Sequence, residues 1–188
     1  MCKCNEVNIK FAKTREDAII PTKKEEDAGY DIYACFDEDY IVIRPNEVKL
    51  IPTGIASAFP NTHYFQFHER GSTGTKGMSY RAGVIDSGFR NMWQVPINNT
   101  SDKIIVICKD SKSFAKDNSR ELNYLCNSIG SDIETYMDER YTFYPYTKAI
   151  AQAVLLPVPK TNIEEVSYEE LLEIESERGL GMLGSSNK

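Results

Sequence analysis

The sequence predicts an all-β sandwich or barrel. Three features point there: short apolar stretches of strand length, period-two alternation within them, and Pro, Gly or Asn turns between them. At 188 residues the chain has the length of one domain, large enough to bury a core without disulfides or metals. In chain order the predicted strands are Val7–Phe11, Tyr40–Ile43, Val48–Phe59, Tyr64–His68, Met92–Ile97, Lys103–Cys108 and Ile150–Val158. Tyr64-Phe65-Gln66-Phe67-His68 alternates, as a strand covered on one face does. Ile104-Ile105-Val106-Ile107 is a continuous apolar run, as a strand covered on both faces is. From Phe114 to Glu139 the pattern changes: Leu122, Leu125, Cys126, Ile129, Ile133 and Tyr136 recur at three- and four-residue steps. This predicts a helical excursion interrupted near Gly130. A second short helix is expected at Tyr168–Ile174, with Glu169, Glu170 and Glu173 on a solvated face.

Lys and Arg number 22 against 28 Asp and Glu, for a net charge of −6. That balance argues against a protein whose affinity comes from neutralising nucleic-acid phosphates, whereas a small anionic ligand needs only a few cations. No apolar run approaches the length of a membrane span, and Met1-Cys2-Lys3-Cys4-Asn5-Glu6 lacks the apolar stretch of a secretory signal. A cytoplasmic protein with no membrane partner is expected. Cys2, Cys4, Cys35, Cys108 and Cys126 are odd in number and irregularly spaced, which suits a reducing compartment better than a disulfide framework. Cys2 and Cys4 lack a second metal-binding pair, and His63 and His68 are too few for a zinc triad.

Three glycine-containing loops hold the parts of an anion nest: exposed backbone N–H groups, small hydroxyls and an adjacent Arg. They are Asp27-Ala28-Gly29-Tyr30-Asp31, the segment Glu69-Arg70-Gly71-Ser72-Thr73-Gly74-Thr75-Lys76-Gly77, and the stretch from Glu177 to Ser186. In the second, Gly71 and Lys76 have the wrong spacing for a Walker lysine and no helix is expected to follow. The last has no preceding strand and is no dinucleotide fingerprint. Between the second loop and the next strand, Gly83-Val84-Ile85-Asp86-Ser87-Gly88-Phe89 places a carboxylate beside an aromatic ring. A carboxylate on a pocket wall orients a water and accepts its proton; the plainer reading is a turn cap.

Taken in order, these segments resemble the trimeric dUTPase family, in the style of phage-type members that carry an insert. Ala28-Gly29-Tyr30-Asp31-Ile32-Tyr33-Ala34 is similar to the family's first motif and Arg70-Gly71-Ser72 to its second. Gly83-Val84-Ile85-Asp86 with Phe89 is similar to the third, Ile150-Ala151-Gln152 to the end of the fourth, and the run from Arg178-Gly179 to Gly184-Ser185-Ser186 to the fifth. The resemblance implies a jelly-roll β domain over residues 1–175, a helical insert at about 110–146, and a mobile tail over 176–188 that closes over the site. It implies a homotrimer that hydrolyses dUTP to dUMP and pyrophosphate, with Mg2+ on the triphosphate. Asp86 takes the role of activating water. Phe89 stands where the family has a tyrosine stacked on deoxyribose, and Asp31 meets the metal through water. Arg70, Gly71, Ser72, Thr73, Gly83, Val84, Ile85, Gln152, Arg178, Leu183, Gly184, Ser185 and Ser186 fall at nucleotide-binding positions.

Several positions depart from the pattern. Gly71 follows Arg70 where the family usually has Ser, so Ser72 or Thr73 must supply that hydroxyl. Thr147-Lys148-Ala149 replaces the usual Gly-Asp-Arg, and Met182-Leu183 replaces a Gly-Phe whose ring covers the uracil. Ile85-Asp86-Ser87-Gly88-Phe89 is also similar to the related dCTP deaminases, but the position of their proton-shuttling Glu, ten after the Asp, is Pro96. Proline moves no proton. A third reading gives the insert a regulatory protein partner, against the simpler one in which its apolar stripe covers its own barrel.

Overall fold

Among the described residues of this computed structural model, which are 6–130, 132–177 and 179–181, the chain forms twelve strands and five helices. The strands are β1 (Lys10–Lys13), β2 (Gly29–Ile32), β3 (Tyr40–Ile43), β4 (Val48–Pro52), β5 (Ile55–Ala58), β6 (His63–His68), β7 (Met78–Tyr80), β8 (Val84–Ile85), β9 (Gln94–Asn99), β10 (Ile104–Cys108), β11 (Tyr141–Pro145) and β12 (Ala151–Pro157). The helices are α1 (Gly71–Gly74), α2 (Ser111–Asp117), α3 (Ser119–Ile129), α4 (Ile133–Arg140) and α5 (Tyr168–Glu173). The strands make four small sheets in a jelly-roll-like arrangement, ordered β1-β5, β11-β10-β3, β2-β12-β6-β8 and β4-β9-β7. Residues fall into two compact units, Met1–Val158 and Pro159–Lys188.

The core of the first unit is aromatic at its centre. Phe65 and Trp93 meet edge to face at 5.1 Å, Phe67 meets Trp93 at 5.8 Å, and Phe59 meets Phe65 at 5.1 Å. Ile32, Ile43, Ile51, Ile97 and Ile105 close around them with no exposure. Each such side chain contributes about 1.5–3 kcal/mol of burial, so the sheets have a rigid base on which loops can be held.

Val48–Phe59 is two strands rather than one, because Thr53-Gly54 turns the chain from one sheet to another. Gly54 has φ +68, and a Cβ there would lie 2.8 Å from both Ala18 Cβ and Cys35 Sγ. The helical excursion is present as α2, α3 and α4, with Gly130 capping α3 at φ +71. It does not end in a loop. It returns as β11, which pairs in parallel with β10 from Ile104↔Tyr141 to Cys108↔Pro145. Parallel neighbours need a crossover connection, and the three helices are that crossover. Phe114 fills the space between them and the sheet, edge to face with Tyr40, Tyr141 and Phe143 at 5.1, 5.2 and 5.6 Å. Part of the excursion's apolar side covers its own barrel through Phe114; Leu122 and Cys126 are buried as well, whereas Ile129 and Ile133 of the same stripe are exposed. In the second unit, α5 opens on a capping box in which Ser167 Oγ accepts from the Glu170 N–H while the Glu170 carboxylate accepts from the Ser167 N–H.

Candidate active site

β6 ends at His68, and the chain turns immediately into the single turn α1. Thr73 makes that turn rigid: it is fully buried, its Oγ1 accepts from the Arg70 N–H at 2.9 Å, and it lies 3.1 Å from both the Arg70 carbonyl and Tyr80 Oη. Gln152 on β12 fixes the other side by donating from Nε2 to the Glu69 carbonyl at 2.7 Å. The Gln152 side chain lies across Gly29, where a Cβ would sit 2.7 Å from Gln152 Oε1, so the glycine of the first motif makes room for it.

Arg70 is the centre of the arrangement. Its Nε meets Asp31 Oδ1 at 2.9 Å, its Nη2 meets Asp31 Oδ2 at 3.3 Å, and its Nη1 donates to the Ala149 carbonyl at 3.3 Å. A guanidinium held on two sides by a carboxylate and a carbonyl is oriented before any ligand arrives. Asp31 and Gln152 face each other across β2 and β12, so both side chains stand on the same face as this loop. Together with Lys24, Glu26, Asp27, Ala28, Gly29, Gly71 and Ser72, they line an open polar cavity of about 590 Å³. Of the two hydroxyls expected to contact ligand, Ser72 lines this cavity and Thr73 is buried beneath it.

The cavity brings together residues from the first, second and fourth motif segments. It does not include Asp86. β8 pairs with β6 at Phe65↔Ile85 and Gln66↔Val84 and runs away from the Arg70 end. Asp86 therefore leaves the sheet level with Tyr64, ~4 residues or roughly 13 Å along β6 from His68, and two strands across from Gln152. Val84 and Phe89, beside it, are 52% and 40% exposed in the single chain. Gly83 lies against β6: its carbonyl accepts from the Phe67 N–H at 2.9 Å, and a Cβ on it would meet Gln66 Nε2 at 2.7 Å. Arg178, Leu183, Gly184, Ser185 and Ser186 lie outside the described residues.

Lys24, Tyr80 and Tyr144 belong to this neighbourhood without having been anticipated. Lys24 is on the cavity wall, while its neighbour Lys23 is turned back onto its own loop, donating to the Asp27 carbonyl at 2.7 Å. Tyr80 and Tyr144 donate to the carbonyls of Ile150 and Ala149. The only sequence signal for either tyrosine is a general one, that a buried phenol needs a hydrogen-bond partner.

A protein-family profile described as dUTPase matches residues 15–114, just over half of the chain. The deoxyuridine 5'-triphosphate nucleotidohydrolase of Clostridioides difficile is 31% identical over 183 residues, covering 95% of this chain and 97% of that protein. The protein of the same name from Leptospira interrogans is 34% identical over 105 residues, 54% of this chain and 72% of the relative. Among solved structures, the dUTPase of Staphylococcus bacteriophage 80alpha with dUPNHPP aligns with a TM-score of 0.65, covering 96% of this chain and 99% of that one. At 20% identity that likeness is one of fold.

Proposed function

This chain belongs to the dUTPase family and is a dUTP diphosphatase, and we propose that it works through a site shared between protomers of a homotrimer, with the Arg70 cavity of one chain facing Asp86 of another. The observation that carries this reading is the separation of the two halves. In one chain the phosphate-binding groups form a finished cavity, yet the carboxylate suited to activating water lies several residues and two strands away beside exposed apolar side chains.

Hydrolysis to dUMP and pyrophosphate breaks the anhydride between the α- and β-phosphates, and in our reading the water attacks the α-phosphorus. A water oxygen bonds to that phosphorus, the bond to the bridging oxygen of the β-phosphate breaks, and the pyrophosphate carries away the electron pair. Asp86 orients the water and takes its proton. Arg70 and Gln152, already braced, and the Ser72 hydroxyl meet charge that spreads over the phosphate oxygens, so little reorganisation of the two braced groups is needed as the transition state forms. The Gly83–Ile85 backbone and the Phe89 ring supply the nucleoside side. Deamination finds no proton carrier, since Pro96 is buried within β9.

The cavity's charged side chains are Lys24 and Arg70 against Glu26, Asp27 and Asp31, one more carboxylate than cations. A triphosphate cannot be held there on charge alone. Among the described residues no group of three or more His, Cys, Asp or Glu could hold a metal ion, and Asp31 is already paired with Arg70. This donor set fits Mg2+ brought by the triphosphate, which keeps its waters and takes few protein ligands. Asp31 would hold it through water, and the ion would supply neutralisation of phosphate charge. A docking role for the excursion is left to its outer surface, where Tyr124 and Ile129 are exposed.

Replacing Asp86 by Asn tests the assignment, because the amide keeps the shape and loses the base. Turnover should fall by about 10²–10⁴ or more while nucleotide binding stays near wild type. Near-normal turnover would show Asp86 to be a turn cap.

A further inference from the structure

Two tyrosines remain outside this mechanism, and both end on the same short piece of main chain. Tyr144 lies on β11, the strand that returns from the helical crossover, and is 1% exposed. Its Oη donates to the Ala149 carbonyl at 2.7 Å, and the same oxygen accepts from Arg70 Nη1 at 3.3 Å. Tyr80, at the end of β7, donates its hydroxyl to the next carbonyl, Ile150, and lies 3.1 Å from Thr73 Oγ1. Thr73 Oγ1 in turn accepts from the Arg70 N–H. The side chain and the main chain of Arg70 are thus each reached by a phenol through one intermediary.

We propose that Tyr80 and Tyr144 are positioning residues for the phosphate grip: they lock the Ala149–Ile150 carbonyls and the α1 turn so that Arg70 points into the cavity. The proposal rests on the reading of Arg70 as a phosphate ligand. Burial raises the Tyr80 phenol well above its ordinary pKa, so it stays a donor across the range in which the enzyme is assayed. The brace works through main-chain oxygen. It therefore does not depend on the side chains of Thr147, Lys148 or Ala149. It also gives the crossover a part in the site, since the strand that the helices carry back is the strand that bears Tyr144.

The test is a double-mutant cycle. Tyr80→Phe and Tyr144→Phe keep the rings and remove only the hydroxyls; each is made alone and together, in the wild-type background and with Arg70→Lys. Steady-state hydrolysis of dUTP with magnesium, competitive inhibition by pyrophosphate, and the thermal midpoint are measured. Each single Phe variant should lower kcat/KM about three- to tenfold, mostly in kcat, the range of one lost hydrogen bond, and weaken pyrophosphate inhibition in parallel. In the Arg70→Lys background the same changes should cost almost nothing further. Unchanged kinetics with a lowered thermal midpoint would make the tyrosines structural braces only and overturn the proposal. An equal loss in both backgrounds would overturn it too, because the hydroxyls would then act elsewhere. If Arg70→Lys alone behaves as wild type, the phosphate reading of Arg70 is what fails. Should Tyr144→Phe not fold, Tyr80→Phe, at a partly exposed position, decides the question by the same cycle.

Discussion

The Cys35 thiol is 1% exposed and donates to Asp17 Oδ1 at 3.2 Å. Burial first, and then the Asp17 carboxylate, push its pKa above the ordinary thiol value; burial does the same for Cys108, with Asp110 adding to it. In the unfolded chain these thiols ionise at the ordinary value of about 8.5, while in the folded chain they hold their protons to higher pH. Their contribution to stability is therefore whole below that value and is lost as pH rises through the folded pKa. Urea midpoints should fall from pH 8 to pH 10, and a Cys35→Ala, Cys108→Ala chain should show a flatter profile. An equal slope in both chains would assign the alkaline loss to other groups. At this scale the sequence was legible where chemistry is written in the side chain itself: Asp31, Arg70, Ser72 and Gln152 stand together at one cavity. It could not separate Ser72 from Thr73, because only one of the two adjacent hydroxyls is turned in to meet Tyr80, a contact set by the fold. Tyr80 and Tyr144 were silent because their partners are backbone oxygens, which carry no residue signature.

Strand and helix periodicity located most elements; it gave no strand at β7 and no helix at α1, it left Gly29–Asp31 of β2 in a loop, and two further exceptions share a cause. Gly54 divides the predicted strand Val48–Phe59 between two sheets, and the close approach of Ala18 and Cys35 leaves no room there for a side chain, though neither neighbour is near in sequence. β11 follows α4 with no intervening turn, so Tyr141-Thr142-Phe143-Tyr144-Pro145 carries no punctuation to mark it as a strand. Only its pairing with β10 makes it one. The crossover depends on Phe114, which is 3% exposed and packs on Tyr40, Tyr141 and Phe143. Phe114→Ala should lower stability by about 3–5 kcal/mol, the usual cost of emptying a buried aromatic site. Hydrogen exchange would show where the loss falls. If the helices dock through Phe114, amides of α2 to α4 lose protection first and those of β6 and β9 hold. Uniform loss across both sets would mean that the excursion and the barrel unfold as one unit.

At the scale of the assembly, the division of the site makes a quantitative demand. Chains carrying Arg70→Ala keep Asp86 and lose the proposed phosphate grip; chains carrying Asp86→Asn keep that grip and lose the proposed base. Each variant alone is expected to be nearly inactive, whatever the oligomer. Unfolded together in equal amounts and refolded, they should assemble at random around the proposed symmetric trimer, in which each site draws its Arg70 and its Asp86 from different protomers. A site is intact when its Arg70 comes from an Asp86→Asn chain and its Asp86 from an Arg70→Ala chain. Each condition is met half the time, so about one quarter of sites recover and the mixture should show about one quarter of wild-type turnover per chain. If both residues served a site within one chain, no mixture would ever contain an intact site, and activity would stay at the level of the separate variants. The register of β8 on β6 argues against that second outcome, because Asp86 and Arg70 leave the sheet at opposite ends of β6. Mixing the two variants after each has already folded supplies the control. Recovery should then appear only as protomers exchange, and its slow growth would report assembly rather than contamination by wild-type enzyme.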